Sequence, residues 1–126
     1  MDTGKFNIKT DFYSGYEGEP ELVLEMENNF PSMKIWDGFL YDLFYVSNPP
    51  NGNFKGFTRD FFHDVGIWND DWEKVKIENI DEYIEDVKGY LDLKFDFPKT
   101  SEAIHALYDY LLFAKEHNYS VFVEID

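Results

Sequence analysis

Apolar and polar residues alternate along residues 6–13 (FNIKTDFY): Phe6, Ile8, Thr10 and Phe12 share one side, with Asn7, Lys9 and Asp11 on the other. That two-residue period is the mark of a half-buried strand. A Gly- and Pro-rich break at 14–20 (SGYEGEP) follows, and then 21–27 (ELVLEME) alternates again with Leu22, Leu24 and Met26 inward. The two runs predict an antiparallel hairpin with a long loop. After a second break at 28–34, Ile35, Trp36, Phe39, Leu40, Leu43 and Phe44 recur at helical spacing, which predicts a short buried helix over 35–46 with Trp36 in the core. Gly38 and the aromatic flanks make a strand the competing assignment. Two prolines in SNPPNG (47–52) stop the element.

Phe57, Phe61, Phe62 and Val65 fit one helical face that Gly66 would end, residues 68–73 (WNDDWE) read as an exposed loop, and Val75–Ile77 as a short strand. Asn79 followed by Glu82 is a capping-box variant, and Ile80, Ile84, Val87 and Leu91 then mark the buried stripe of a helix. Residues 91–97 (LDLKFDF) alternate as a strand that Pro98 ends. Thr100 or Ser101 caps a helix over 101–117, with Ala103, Ile104, Leu107, Leu111 and Ala114 buried and Asn118 as its stop. Residues 120–125 (SVFVEI) are apolar nearly throughout and predict a central strand. Strand, helix, strand at the end of the chain suits a right-handed parallel crossover. The expectation is a single α+β domain over 1–126: a mixed, mostly antiparallel sheet of four to five strands with helices packed mainly on one face.

Charge changes this picture more than any motif does. The 126 residues carry 26 acids against 11 bases, a formal net charge of −15, and Arg59 is the only arginine. Phosphate backbones and anionic membranes would be repelled, so direct nucleic-acid and membrane partners are disfavoured, whereas encounter with a basic protein would be accelerated. The chain has no cysteine, which removes disulfides, thiol nucleophiles and Cys-type zinc sites. MDTGKFNIKT has no apolar signal core and no run approaches a membrane span, so the chain reads as cytoplasmic.

Catalytic constellations are sparse. There is no glycine-rich phosphate loop and no G-x-S-x-G elbow. Asp60, His63 and Asp64 share a face if their stretch is helical, and a His–Asp pair serves as a general base or metal ligand set. Phe61 and Phe62 beside it make a structural histidine equally natural. Glu102 and His105 have the i, i+3 spacing of di-iron helix bundles, but no second E-x-x-H exists, and Glu102 is explained as a first-turn carboxylate. Asn69, Asp70, Asp71 and Glu73 lack the calcium-loop pattern. No metal, cofactor or catalytic residue is therefore expected.

The stretch 60–86 remains. It holds ten carboxylates against Lys74 and Lys76, with Trp68, Trp72 and Tyr83 set among them. Helix-dipole chemistry accounts for Asp81 and Glu82 in a first turn but less well for Glu85 and Asp86. An acidic surface with half-wet aromatic anchors suits a basic protein partner. The residues expected to bind it are Asp60, Asp64, Trp68, Asp70, Asp71, Trp72, Glu73, Tyr83, Glu85 and Asp86. In size, acidity, lack of cysteine and segments such as WNDDWEKVKIENIDEYIED, the chain resembles bacterial toxin-immunity proteins, the small antidotes to contact-dependent and other polymorphic toxins. That resemblance implies a tight one-to-one complex with a cognate toxin domain, often a nuclease, and no catalysis. Two other readings use the same residues: a DNA-mimic or phage-type inhibitor of a nucleic-acid enzyme, and a small enzyme or ligand-binding domain built on His63 and nearby carboxylates.

Overall fold

The second run of alternating residues organises the sheet. In the computed structural model, which describes residues 8–27, 30–47 and 75–125, β2 (Glu21–Met26) is buried at Leu22, Leu24 and Met26 on one face and at Val23 on the other. The backbone groups along its two edges need ladder partners as well. β3 (Met33–Trp36) pairs with it antiparallel on one side and β5 (Val121–Ile125) antiparallel on the other. Two-residue strands close the edges: β1 (Asp11–Phe12) lies parallel to β3, and β4 (Val75–Lys76) antiparallel to β5. The order is β1-β3-β2-β5-β4, and such short edges offer little ladder to a foreign strand. The α+β class and the mostly antiparallel, mixed sheet agree with the sequence reading.

Among the described residues, three helices pack on one face. α1 (Asp37–Ser47), α2 (Ile80–Lys88) and α3 (Pro98–Glu116) bury Phe39, Leu40 and Leu43, then Tyr83, Ile84 and Val87, then Ile104, Leu107 and Leu111 against Leu22, Leu24, Ile35, Val121 and Val123. Ala103, Ala106 and Ala114 let α3 approach closely. Tyr110, at 0 % exposure, fixes it to the sheet side by donating its hydroxyl to the carbonyls of Leu24 (3.3 Å) and Pro31 (3.0 Å). Burial there drives the phenol far above its ordinary range.

Several expectations are corrected. The predicted β1–β2 hairpin does not form, because β3 lies between the two strands. Periodicity identifies a strand's faces but not its neighbour. The segment 13–20 instead folds on itself: Asp11 accepts from the Tyr13 and Ser14 amides (3.0 Å each), and Gly15 and Gly18 take positive φ. The helix expected over 35–46 begins at Asp37, and Ile35 and Trp36 end β3. Trp36 is half-buried, stacked on Tyr16 with ring centroids 3.9 Å apart and against Gly38, where an added Cβ would collide with the indole.

Residues 91–97 alternate as predicted, with Leu91, Leu93 and Phe95 half-buried, yet form turns and no strand. Their polar backbone is met by turn bonds, Leu93 N–H on the Tyr90 carbonyl among them, and by side chains: Asp42 accepts from the Asp96 and Phe97 amides and His105 Nε2 donates to the Leu91 carbonyl at 2.9 Å. The parallel crossover fails with them, and both neighbours of β5 run antiparallel to it. α3 begins at Pro98 rather than at 101. A proline at the first helical position has no amide to leave unpaired. The Asn118 stop agrees: at φ 60 it closes α3, with Tyr119 N–H on the Ala114 carbonyl (2.8 Å) and Asn118 N–H on Lys115 (3.1 Å). β5 is interior, as its apolar sequence predicts.

Candidate functional site

α2 is a nine-residue helix whose sequence separates by face. Asn79 caps it, its side-chain oxygen accepting from Glu82 N–H at 3.3 Å, so the capping residue read from the sequence acts as expected. At 3.6 residues per turn, Tyr83, Ile84 and Val87 fall together and are buried. Asp81, Glu82, Glu85 and Asp86 occupy an opposing arc of roughly 140°, with Asp81 and Glu85 exposed and Glu82 and Asp86 half-buried.

Of the ten residues expected to bind a partner, three are described. Glu85 stands on the outer arc. Asp86 accepts a hydrogen bond from the Tyr90 hydroxyl at 2.8 Å, so a partner would meet an already oriented carboxylate. Tyr83 belongs to the core, at 7 % exposure, and is not the surface anchor its acidic neighbours imply. A tyrosine flanked by acids resembles an exposed one in sequence, and its place four residues before Val87, on the Ile84–Val87 side, is what signals burial. Asp60, Asp64, Trp68, Asp70, Asp71, Trp72 and Glu73 lie outside the described residues, as does His63.

Among the described residues, two shallow clefts flank α2. One, of about 290 Å³, is lined by Glu82, Glu85, Asp86, Gly89 and Tyr90, so three carboxylates and a phenol face one concavity. The other, of about 340 Å³, lies where the start of α2 meets the end of α3. Ile77, Ile80 and Val121 give it apolar walls, Tyr119 and Ser120 a polar-aromatic side, and Asp81 and Lys115 an ion pair. The hydrogen bond to Asp81, then the charge of Asp81 and more weakly that of Glu85, hold the Lys115 ammonium above the ordinary lysine value. Sequence reasoning missed Lys115, since nothing local places residue 115 beside residue 81.

A second carboxylate constellation is structural. Asp42, 5 % exposed on α1, accepts from Asp96 N–H (3.1 Å), Phe97 N–H (2.9 Å) and the Thr100 hydroxyl (2.6 Å). Its oxygens are occupied in holding the start of α3, which leaves it no chemistry to offer a ligand.

Among the described residues, no group of three or more His, Asp or Glu side chains is placed to hold a metal ion, and no helix is long and apolar enough to cross a membrane. Glu102 and His105 are exposed on α3, with the histidine bound to the Leu91 carbonyl. Phe113 and Tyr119 flank the other described histidine, His117, at ring-centroid distances of 4.2 and 5.5 Å. Comparisons with protein-family models, curated proteins and solved structures find no match.

Proposed function

We propose that this chain is an immunity-type inhibitor, which binds and neutralises a basic bacterial toxin domain of nuclease type through an acidic surface that includes the outer arc of α2. One observation carries the reading. Glu85 and Asp86 sit in the second half of a nine-residue helix, near the negative end of its dipole, where carboxylates weaken a helix. Helix formation does not call for them there, whereas recognition of a basic partner does. The formal charge of −15 extends the same field over the molecule and would steer such a partner at long range. The reading carries with it a cytoplasmic location, one cognate partner and no catalysis.

The test compares the wild-type chain with the double variant Glu85→Lys/Asp86→Lys, each immobilised and exposed to lysate of the source cells at low salt. Elution follows a rising salt gradient. One basic, stoichiometric protein that leaves the wild-type column late and the variant column early, or never binds the variant, supports the proposal. Identical elution from both columns removes α2 from the interface. The captured protein also separates the two inhibitor readings: a toxin domain identifies an antidote, and an enzyme of nucleic-acid metabolism identifies a DNA mimic.

A further inference from the structure

The cleft between α2 and the end of α3 has a chemistry of its own. Its walls are Ile77 at 7 % exposure, Val121 at 1 % and the half-buried Ile80, beside the Tyr119 ring. At its mouth the Asp81 carboxylate, 66 % exposed, holds Lys115 Nζ. Lys115 therefore already shows what this place accepts: a cation on a flexible stem, brought to Asp81 and within the field of Glu85. Resting on the inhibitor reading above, we infer that this cleft is the seat for an arginine side chain of the basic partner, which displaces Lys115 from Asp81.

Three features favour arginine. A guanidinium meets a carboxylate with a planar two-pronged fork, whereas an ammonium meets it as a point charge, so the exchange at Asp81 gains a hydrogen bond. The arginine stem covers the apolar walls at Ile77, Ile80 and Val121, and its planar head is suited to the Tyr119 ring. Displacing Lys115 costs little, because the pair is solvent-exposed. An anionic ligand is opposed by the net charge of −15, and Lys115, the only cation among the described residues that line the cleft, is already committed to Asp81.

The experiment titrates ¹⁵N-labelled protein with N-acetyl-arginine amide and follows the backbone amides of Asp81, Asn118, Ser120 and Val121 by NMR. The uncharged isostere N-acetyl-citrulline amide is the control. Saturable shifts with arginine alone are expected, at half-saturation concentrations about threefold or more lower in Lys115→Met, where the competitor is gone, and at least about fivefold higher in Asp81→Asn. Equal shifts with citrulline, unchanged binding in Asp81→Asn, or shifts confined to Glu82, Glu85 and Asp86 would overturn the assignment. The last of these would leave the acidic arc of α2 intact as a docking surface. Conversely, saturation of the cleft by arginine, with no basic partner captured from lysate, would sustain the cleft and sink the inhibitor reading, so the two fail separately.

Discussion

α2 and α3 begin in opposite ways. α2 carries its own cap, with Asn79 reaching Glu82 N–H three residues on. α3 starts from Phe97, which makes no side-chain cap, and its start is held by Asp42, more than fifty residues earlier on another helix. The carboxylates differ in the same way. Those of α2 lie on an outer arc, and the Asn79 cap is made to the Glu82 amide and not to any of their carboxylates. Asp42 is buried, and three donors converge on it. In a chain with 26 acids, the distinction between an acid that builds the fold and one available to a partner is drawn by the donors around each, not by the local density of charge.

The largest expected effect tests that distinction. Asp42→Ala leaves the Asp96 and Phe97 amides and the Thr100 hydroxyl without their acceptor at the start of α3, and hydrogen bonds to a charged group exceed neutral ones in strength. A loss of about 2–4 kcal/mol in urea-monitored stability is expected. Because α3 spans the core, the transition should shift as a whole rather than split. A loss under about 0.5 kcal/mol would mean that water can replace the carboxylate.

Asn79→Ala is the local counterpart. It removes one acceptor at one amide, and the expected loss is about 1 kcal/mol. Hydrogen exchange sharpens the contrast: Asn79→Ala should speed exchange in the first turn of α2 before it affects α3, and Asp42→Ala should speed exchange at Asp96 and Phe97 and through α3 before it affects α2. Equal effects on all three helices in both variants would erase the difference between the two starts.

The sequence made α2 legible because everything that fixes it is local. Its cap, its buried Ile84 and Val87 and its outer acids lie within eleven residues, and only Tyr83 was misplaced, because a single aromatic among acids has no period of its own. The end of α3 was legible for the same reason, with Asn118 taking the left-handed turn expected of it. What was not legible was pairing over distance. The alternation at 91–97 is real, but no strand partners it, and its amides are met by Asp42 and its Leu91 carbonyl by His105. Alternation over 6–13 correctly marked a strand, of which Asp11–Phe12 is the part formed among the described residues, and wrongly implied β2 as its neighbour. Of the candidate surface, the outer arc of α2 was foreseen, and its cleft with Lys115 was not, since that contact joins residues 34 positions apart.

A smaller effect concerns the outer arc alone. Glu85→Lys places a cation near the negative end of α2, where the dipole favours it, so stability should stay within about 0.5 kcal/mol of wild type or rise slightly. Partner association, by contrast, should slow about tenfold or more at low salt. Loss of stability and loss of binding are then separated in one variant. A marked fall in melting temperature would show that Glu85 supports the fold, as Asp42 does, and would withdraw it from the surface available to a partner.

The smallest effect is at a third helix start and tests whether a first-turn acid is always favourable. Asp37 opens α1, as Asp81 and Glu82 open α2, but burial, and then the charge of Glu19, raise its carboxyl above the ordinary aspartate value of 3.8, outweighing the hydrogen bond from Gly38 N–H. The folded state thus holds the proton more tightly than the unfolded state. The associated stability is fully present below the ordinary value and is lost as pH rises through the raised folded value. Asp37→Asn does not titrate. Its melting temperature relative to wild type should therefore climb as pH rises past the ordinary aspartate value and level off once pH exceeds the raised one. The reverse trend, a relative gain confined to low pH, would show that the helix dipole outweighs burial and that Asp37 resembles the first-turn acids of α2. Repeating the series in a Glu19→Gln background separates the two causes: because burial is the larger, most of the climb should persist once the neighbouring charge is gone.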